Sequence, residues 1–201
     1  MGKLLGNKHR MCRRIGERLC NNDRCPVTRR HSPPGTHGVK GYGKLTEYGT
    51  QLREKQKAKY MYGIMEKQFR NYFEKALHQT GNTTDNFLRA LELRLDNAVF
   101  RSGFAKTRAA ARQLVSHGWV LVNGQRVTIP SYQLVQDDEI SLSKKAKKSA
   151  LAESTQKNSI TPPSWLAVDT AELTSKVVSL PLTDDYPKNL NMTLIVEFYS
   201  R

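Results

Sequence analysis

Apolar positions recur at helical spacing through the middle of the chain. Between Thr46 and Gly81 they predict two helices, over 47–60 and 64–79, because Ile64, Phe69, Phe73 and Leu77 share one face of the second. Gly81 supplies its stop. The stretch TTDNFLRALELRLDNAVFRSGF carries the strongest pattern. Phe87, Leu88, Leu91, Leu95, Ala98 and Val99 form one stripe, Thr84 or Asp85 can cap it and Gly103 can end it, so one continuous helix is expected. Thr107 then stands as N-cap to RAAARQLVSH, closed by Gly118, with Ala110, Ala111, Leu114 and Val115 facing inward.

After Gly118 the pattern changes. WVLVNGQRVTI places Asn123-Gly124 between two apolar runs, the sequence of a two-residue hairpin turn. DEISLS can add a further strand, and Asp137, Asp138 and Glu139 read as the turn before it rather than as acid–base chemistry. The run SKKAKK at 143–148 leads into a polar linker, and NMTLIVEFYSR reads as a last strand or extended strip that docks back on the core. The fold class is therefore α+β. A basic extension over 1–44 precedes a helical domain over 45–87, to which 149–201 returns, and a helix–helix–sheet module over 88–148.

Charge sharpens this outline. The chain carries 33 Lys and Arg against 18 Asp and Glu, a net charge of +15. The excess is uneven: eleven basic residues against two acidic in 1–44, and ten against four in 93–148. Such blocks seek phosphate backbones or anionic membranes. No window is long and apolar enough to span a bilayer. The N-terminus lacks an apolar signal core, and Gly6 stands where a myristoylation motif needs Ser or Thr. An intracellular, reducing setting is the expectation. Three cysteines within fourteen residues then read as ligands or thiols rather than disulfides.

Arginine on a helix is most often just a solvated face. Here no acidic residue falls between Asp96 and Asp137, so Arg108 and Arg112, one helical turn apart, are expected to have no local carboxylate partner. Arg101, Lys106, Thr107, Gln113 and His117 surround them, a set suited to phosphate and 2′-hydroxyl groups. Further basic positions are Lys3, Lys8, Arg10, Arg13, Arg14, Arg29 and Arg30 in the extension, Arg53, Lys55 and Lys57 on a first helix expected to be positive outside, and Arg70; the extension reads as a solubilising tail or as RNA contacts. Tyr42, Tyr48, Tyr60 and Tyr62 more often pack helices than stack on bases. GVKGYGK is not a P-loop, because Leu45 follows Lys44. No nucleophile–base set and no cofactor loop is evident, so an enzyme is not expected.

Residues 1–44 lack a periodic apolar face and cannot fold alone. His9, Cys12, Cys20 and Cys25, spaced H-x2-C-x7-C-x4-C, offer four nitrogen and sulfur donors, the set a structural Zn2+ takes. The binding energy of such an ion is folding energy. His31 and His37 are alternative imidazoles without the two-residue spacing to a cysteine.

The run RLDNAVFRSGFAKTRAAARQLVSHGWVLVNGQRVTIPSYQLVQDDEI closely resembles the S-four RNA-binding module. The matching features are Arg94-Leu95-Asp96, Gly103-Phe104, Thr107-Arg108, Ala111 to Val115, His117-Gly118 and Val122-Asn123-Gly124. Upstream, PPGTHG and REKQKAKYMYGIMEKQFRNYFEKA, and at the end VEFYSR, are similar to the bacterial-type small-subunit ribosomal protein S-four family. That resemblance implies binding to the 5′ domain of small-subunit (16S) ribosomal RNA, nucleation of the subunit body and a contribution to translational accuracy. It favours RNA contact over a solubilising tail for the basic extension. It implies ribosomal protein S-five, other small-subunit proteins and messenger RNA near its channel as partners, and neither a membrane nor a small-molecule substrate. The setting implied is the cytoplasmic ribosome or an organellar one. Some members carry four cysteines; Cys20 and Cys25 fall on their second pair, Cys12 on the second member of the first, and His9 stands where a cysteine would. The competing readings are an RNA-modifying enzyme, such as a pseudouridine synthase, or a regulator using the same module.

Overall fold

The computed structural model describes residues 6–20, 24–147 and 161–200. They belong to two compact units, Met1–Glu74 with Lys188–Arg201, and Lys75–Pro187.

In the first unit, helix α1 (Lys8–Ile15) starts where the Asn7 side chain accepts the His9 amide and ends at Gly16 in the left-handed region. Two 3-10 turns, Pro26–Thr28 and Thr36–Lys40, follow. Helix α2 (Glu47–Tyr62) is capped by the Thr46 hydroxyl, which accepts the Gly49 amide at 3.1 Å. Helix α3 (Glu66–Leu77) follows, so both predicted helices form within two residues of their expected ends.

The C-terminal segment corrects an expectation. It is not a strand but a helix, Met192–Ser200, and it packs on α2. Its β-branched and aromatic content suggested an extended segment. Packing overrides that preference: Met192 and Ile195, three apart, are buried. Phe198 lies 5.6 Å from the Tyr48 ring, and Tyr199 stacks on Phe73 at 4.8 Å.

The second unit holds α4 (Thr83–Glu92), α5 (Leu95–Arg101), α6 (Arg108–Ser116) and a short α7 (Lys144–Lys147), which makes Met192–Ser200 α8. Its antiparallel sheet contains β1 (Val120–Val122), β2 (Gln125–Arg126), β3 (Glu139–Leu142), β4 (Leu166–Asp169) and β5 (Thr174–Val177) in the order β2-β1-β3-β5-β4. The hairpin forms as predicted. Val122 faces Gln125, and Asn123 and Gly124 take φ of 50° and 77° between them. Asp138 closes the next turn, accepting the Val135 amide at 2.9 Å and the Asn123 side-chain amide at 2.8 Å.

Two further expectations need correction. The long helix is two helices. Arg94 is extended (φ −67°, ψ 135°), Leu134 donates its amide to the Leu93 carbonyl at 2.9 Å, and Arg94 bridges Gln133. The apolar stripe is buried on both sides of the break, so its burial was legible and its continuity was not. Nor is the region after 160 a linker. β5 pairs with β3 through Ile140↔Ser175, and Trp165 is fully buried in the core with Val99, Val115, Ile140 and Val177. Of the expected linker over 149–165, residues 149–160 lie outside the described residues.

Candidate nucleic-acid interface and metal centre

Helix α6 carries the basic face. The Thr107 hydroxyl caps it, accepting the Ala110 amide at 3.2 Å, and α6 packs on α5. Arg108 donates Nε to Asn97 Oδ1 at 2.8 Å, with its guanidinium 4.5 Å above the Phe100 ring. Arg112 donates Nη1 to Asp96 Oδ2 at 3.0 Å. The expectation that these arginines lack a carboxylate partner is therefore wrong for Arg112. The chain reversal between α5 and α6 returns Arg112 to Asp96, sixteen positions earlier.

The same network continues inward. Arg94, only 1% exposed, makes two bonds to Asp96, at 3.0 and 2.6 Å. Arg101 forks onto Glu92 at 3.0 and 2.9 Å, and Asn97 donates Nδ2 to the same carboxylate at 2.7 Å. Two buried carboxylates, Glu92 and Asp96, thus sit among four guanidiniums, leaving the cluster positive. Lys106, Gln113 and His117 are exposed.

Sequence reasoning missed Arg126. It is exposed and donates Nη2 to the His117 carbonyl at 3.1 Å. Its guanidine group covers Gly118, where φ is +69° and a Cβ would come within 1.9 Å of Nε. Its place two residues beyond Asn123-Gly124, across the hairpin from Leu121, was the available signal.

In the first unit Lys8, Arg10, Arg14, Arg29 and Arg30 are exposed, while Lys3 lies outside the described residues. Other candidates hold the unit together. Arg13 donates to the carbonyls of Ser32 and Pro33 at 3.1 and 3.0 Å. Arg53 donates to the Ile15 carbonyl at the end of α1 and lies 5.0 Å from the Tyr42 ring, whose hydroxyl donates to the Arg13 carbonyl. Lys57 pairs with Glu17 at 2.7 Å, and Lys55 with Glu66 at 2.7 Å. Both lysines are buried, which corrects the expectation that they line a positive outer side of α2. Arg70 forms an exposed pair with Glu74 at 2.9 Å. Burial would raise the pKa of Glu66, but hydrogen bonds and charge from Lys55 and Lys59 override it and hold the group at about 2. Tyr199 also donates to Glu66, at 3.0 Å; burial and that carboxylate raise its pKa.

The cysteine-containing segment folds back on α1. Ligand atoms of His9, Cys20 and Cys25 all lie within 4.8 Å of one another, close enough to hold a metal ion. Cys20 Sγ is 3.6 Å from His9 Nδ1. A tetrahedral ion with its sulfur at about 2.3 Å and nitrogen at about 2.0 Å sets those donors about 3.5 Å apart, so the pair fits. Cys12 stands outside this group of three. It is buried in the same small cluster with Cys25 and Val27, and its sulfur accepts the Leu19 amide at 3.4 Å. His31 and His37 are not in the group. No helix among the described residues is long and apolar enough to cross a membrane.

A guanidinium-lined helix and turn on a small sheet, preceded in sequence by an arginine-rich segment with clustered metal donors, offers hydrogen-bond donors suited to phosphate groups. Comparison with known proteins makes this specific. Residues 3–92 match the family described as ribosomal protein S4/S9 N-terminal domain, and residues 93–140 match the S4 domain. The small ribosomal subunit protein uS4 of Halothermothrix orenii is 46% identical over 209 aligned positions, covering 100% of each chain. The protein uS4A of Alkaliphilus metalliredigens is 47% identical over 96% of each, and uS4 of Chlorobium limicola 45% over 100% of each. The chain belongs to the small ribosomal subunit protein uS4 family.

Proposed function

We infer that this protein is a structural constituent of the small ribosomal subunit and acts by binding ribosomal RNA, not by catalysis. Full-length identity to relatives named small ribosomal subunit protein uS4 carries the reading. The positive cluster around Arg108 and Arg112 supplies its physical basis. The RNA-modifying alternative has no support in a family of structural ribosomal proteins.

The site bound is the 5′ domain of 16S RNA, where the protein nucleates the subunit body and contributes to translational accuracy. Ribosomal protein S-five and messenger RNA at its channel are its neighbours, in cytoplasmic ribosomes. Lys8, Arg10, Arg14, Arg29 and Arg30 meet phosphates from one unit, and Lys106, Arg108, Arg112, Gln113 and His117 from the other. Affinity comes chiefly from counterion release and falls steeply with salt. Binding of a 5′-domain fragment, measured across a salt series, tests this. Arg108→Ala with Arg112→Ala should weaken binding and flatten the salt slope by about two without unfolding the chain. Unchanged affinity at physiological salt would overturn the reading.

The metal is zinc, held by His9, Cys20 and Cys25, with Cys12 as fourth donor from the same cluster. It would fix α1, and with it Arg10 and Arg14, for RNA. One zinc per purified chain, and weaker RNA binding after chelation, are expected. Zinc-free protein with full affinity would refute this.

A further inference from the structure

We infer that Asp96 and Asn97, adjacent on α5, are positioning residues for RNA binding: each holds one edge of an α6 guanidinium in place before RNA arrives. The inference rests on Arg108 and Arg112 being RNA contacts.

Asp96 divides its oxygens between two arginines. Oδ1 accepts from Arg94 Nε at 3.0 Å, while Oδ2 accepts from Arg94 Nη2 at 2.6 Å and from Arg112 Nη1 at 3.0 Å. The carboxylate is 4% exposed, and Arg94 behind it 1%, so neither relaxes into water. Asn97 plays the equivalent part for Arg108 by different chemistry. Its Nδ2 donates to the Glu92 carbonyl at 3.0 Å and to Glu92 Oε2 at 2.7 Å, and its Oδ1 accepts from Arg108 Nε at 2.8 Å. A short amide can face a carboxylate with one end and a guanidinium with the other. Aspartate at 97 would set two carboxylates against each other, and leucine would leave both neighbours without this partner. The Phe100 ring supports the Arg108 guanidinium from below. Both arginines still reach the surface, the Arg112 side chain at 17% exposure.

An unanchored arginine must be ordered when RNA binds, and that ordering weakens association. An anchored one meets phosphate already oriented. The two anchors sit next to each other in sequence, so a single turn of α5 sets the register of both guanidiniums along α6.

The test is a double-mutant cycle on the full-length, metal-replete protein, read as affinity for a 5′-domain RNA fragment across a salt series. Asn97→Ala should weaken binding roughly tenfold through lost preorganisation, with the salt slope unchanged because no phosphate contact is removed. Arg108→Ala should weaken binding and lower the slope by about one. Adding Asn97→Ala to Arg108→Ala should then cost almost nothing. An equal loss from Asn97→Ala in both backgrounds would make Asn97 a purely structural residue and overturn the inference, as would no loss at all. If Arg108→Ala alone changed neither affinity nor slope, the RNA-contact reading itself would fail, and this inference with it. Asp96→Asn against Arg112→Ala repeats the cycle for the second arm. The Asn97 arm decides if Asp96→Asn unfolds the unit by removing the buried negative charge that faces Arg94.

Discussion

In the unit formed by Met1–Glu74 and Lys188–Arg201, several cations fasten segments together, while Lys8, Arg10, Arg14, Arg29 and Arg30 stay exposed. Lys55 and Lys57 are buried against Glu66 and Glu17, Arg53 ends α1, and Arg13 fastens the turn at Ser32 and Pro33. Among the described residues of Lys75–Pro187 only Arg94 is a buried cation, and Arg101, Arg108 and Arg112 each keep part of the side chain at the surface. The contrast is sharpest around α1, away from the apolar core that Phe69, Phe73 and Ile195 build in the same unit. The second unit has one continuous core running from Leu93 to Val177. Around α1 the buried apolar cluster is Cys12, Cys25 and Val27. Around α1, where apolar burial is scarce, Arg13, Arg53 and Lys57 tie segments together; in the second unit the α6 arginines keep part of their side chains at the surface.

The largest test of that contrast is metal removal. Chelation, or Cys25→Ser, should abolish amide-exchange protection around α1 and leave Lys75–Pro187 protected, as measured by hydrogen-exchange mass spectrometry. Matching losses in both units would break the contrast. Next is Trp165→Ala. Truncating a fully buried tryptophan should destabilise the second unit by about 3–5 kcal/mol without loosening α2 or α3. Urea titration followed by peptide-resolved exchange would show it.

Glu66 gives a smaller, pH-dependent effect. Its folded pKa of about 2 lies below the ordinary 4.5. Its contribution is therefore complete above pH 4.5 and is lost as pH falls towards 2. Because the side chain is 44% exposed, screening leaves on the order of 1 kcal/mol. Glu66→Gln should destabilise the first unit at neutral pH and match wild type near pH 2, read by denaturation at a series of pH values. Smallest is Arg70→Ala. It removes an exposed i,i+4 pair and should cost about 0.3–0.5 kcal/mol, close to the limit of chemical denaturation.

What was legible in the sequence was local. Thr46 and Thr107 mark helix starts, and Asn123-Gly124 marks the hairpin, because each acts within a few residues of itself. What was not legible depended on distant partners. The break at Leu93 and Arg94 is made by the loop around Gln133 and Leu134. The burial of Lys57 depends on Glu17, forty positions away, and the C-terminal helix on α2. β4 and β5, four residues each, carry too little alternation to be read without β3 beside them. At the candidate site, cysteine spacing brought three of four expected donors together. Charge counting found the basic helix but not the carboxylate that anchors Arg112.

The position of Trp165 has an optical consequence. Both tryptophans of the chain, Trp119 and Trp165, lie in Lys75–Pro187, whereas six of its eight tyrosines lie in the other unit. Indole emission therefore reports on one unit and phenol emission mostly on the other. A melting curve recorded in tryptophan light alone would look like a single clean transition even if α1 and α2 had already come apart.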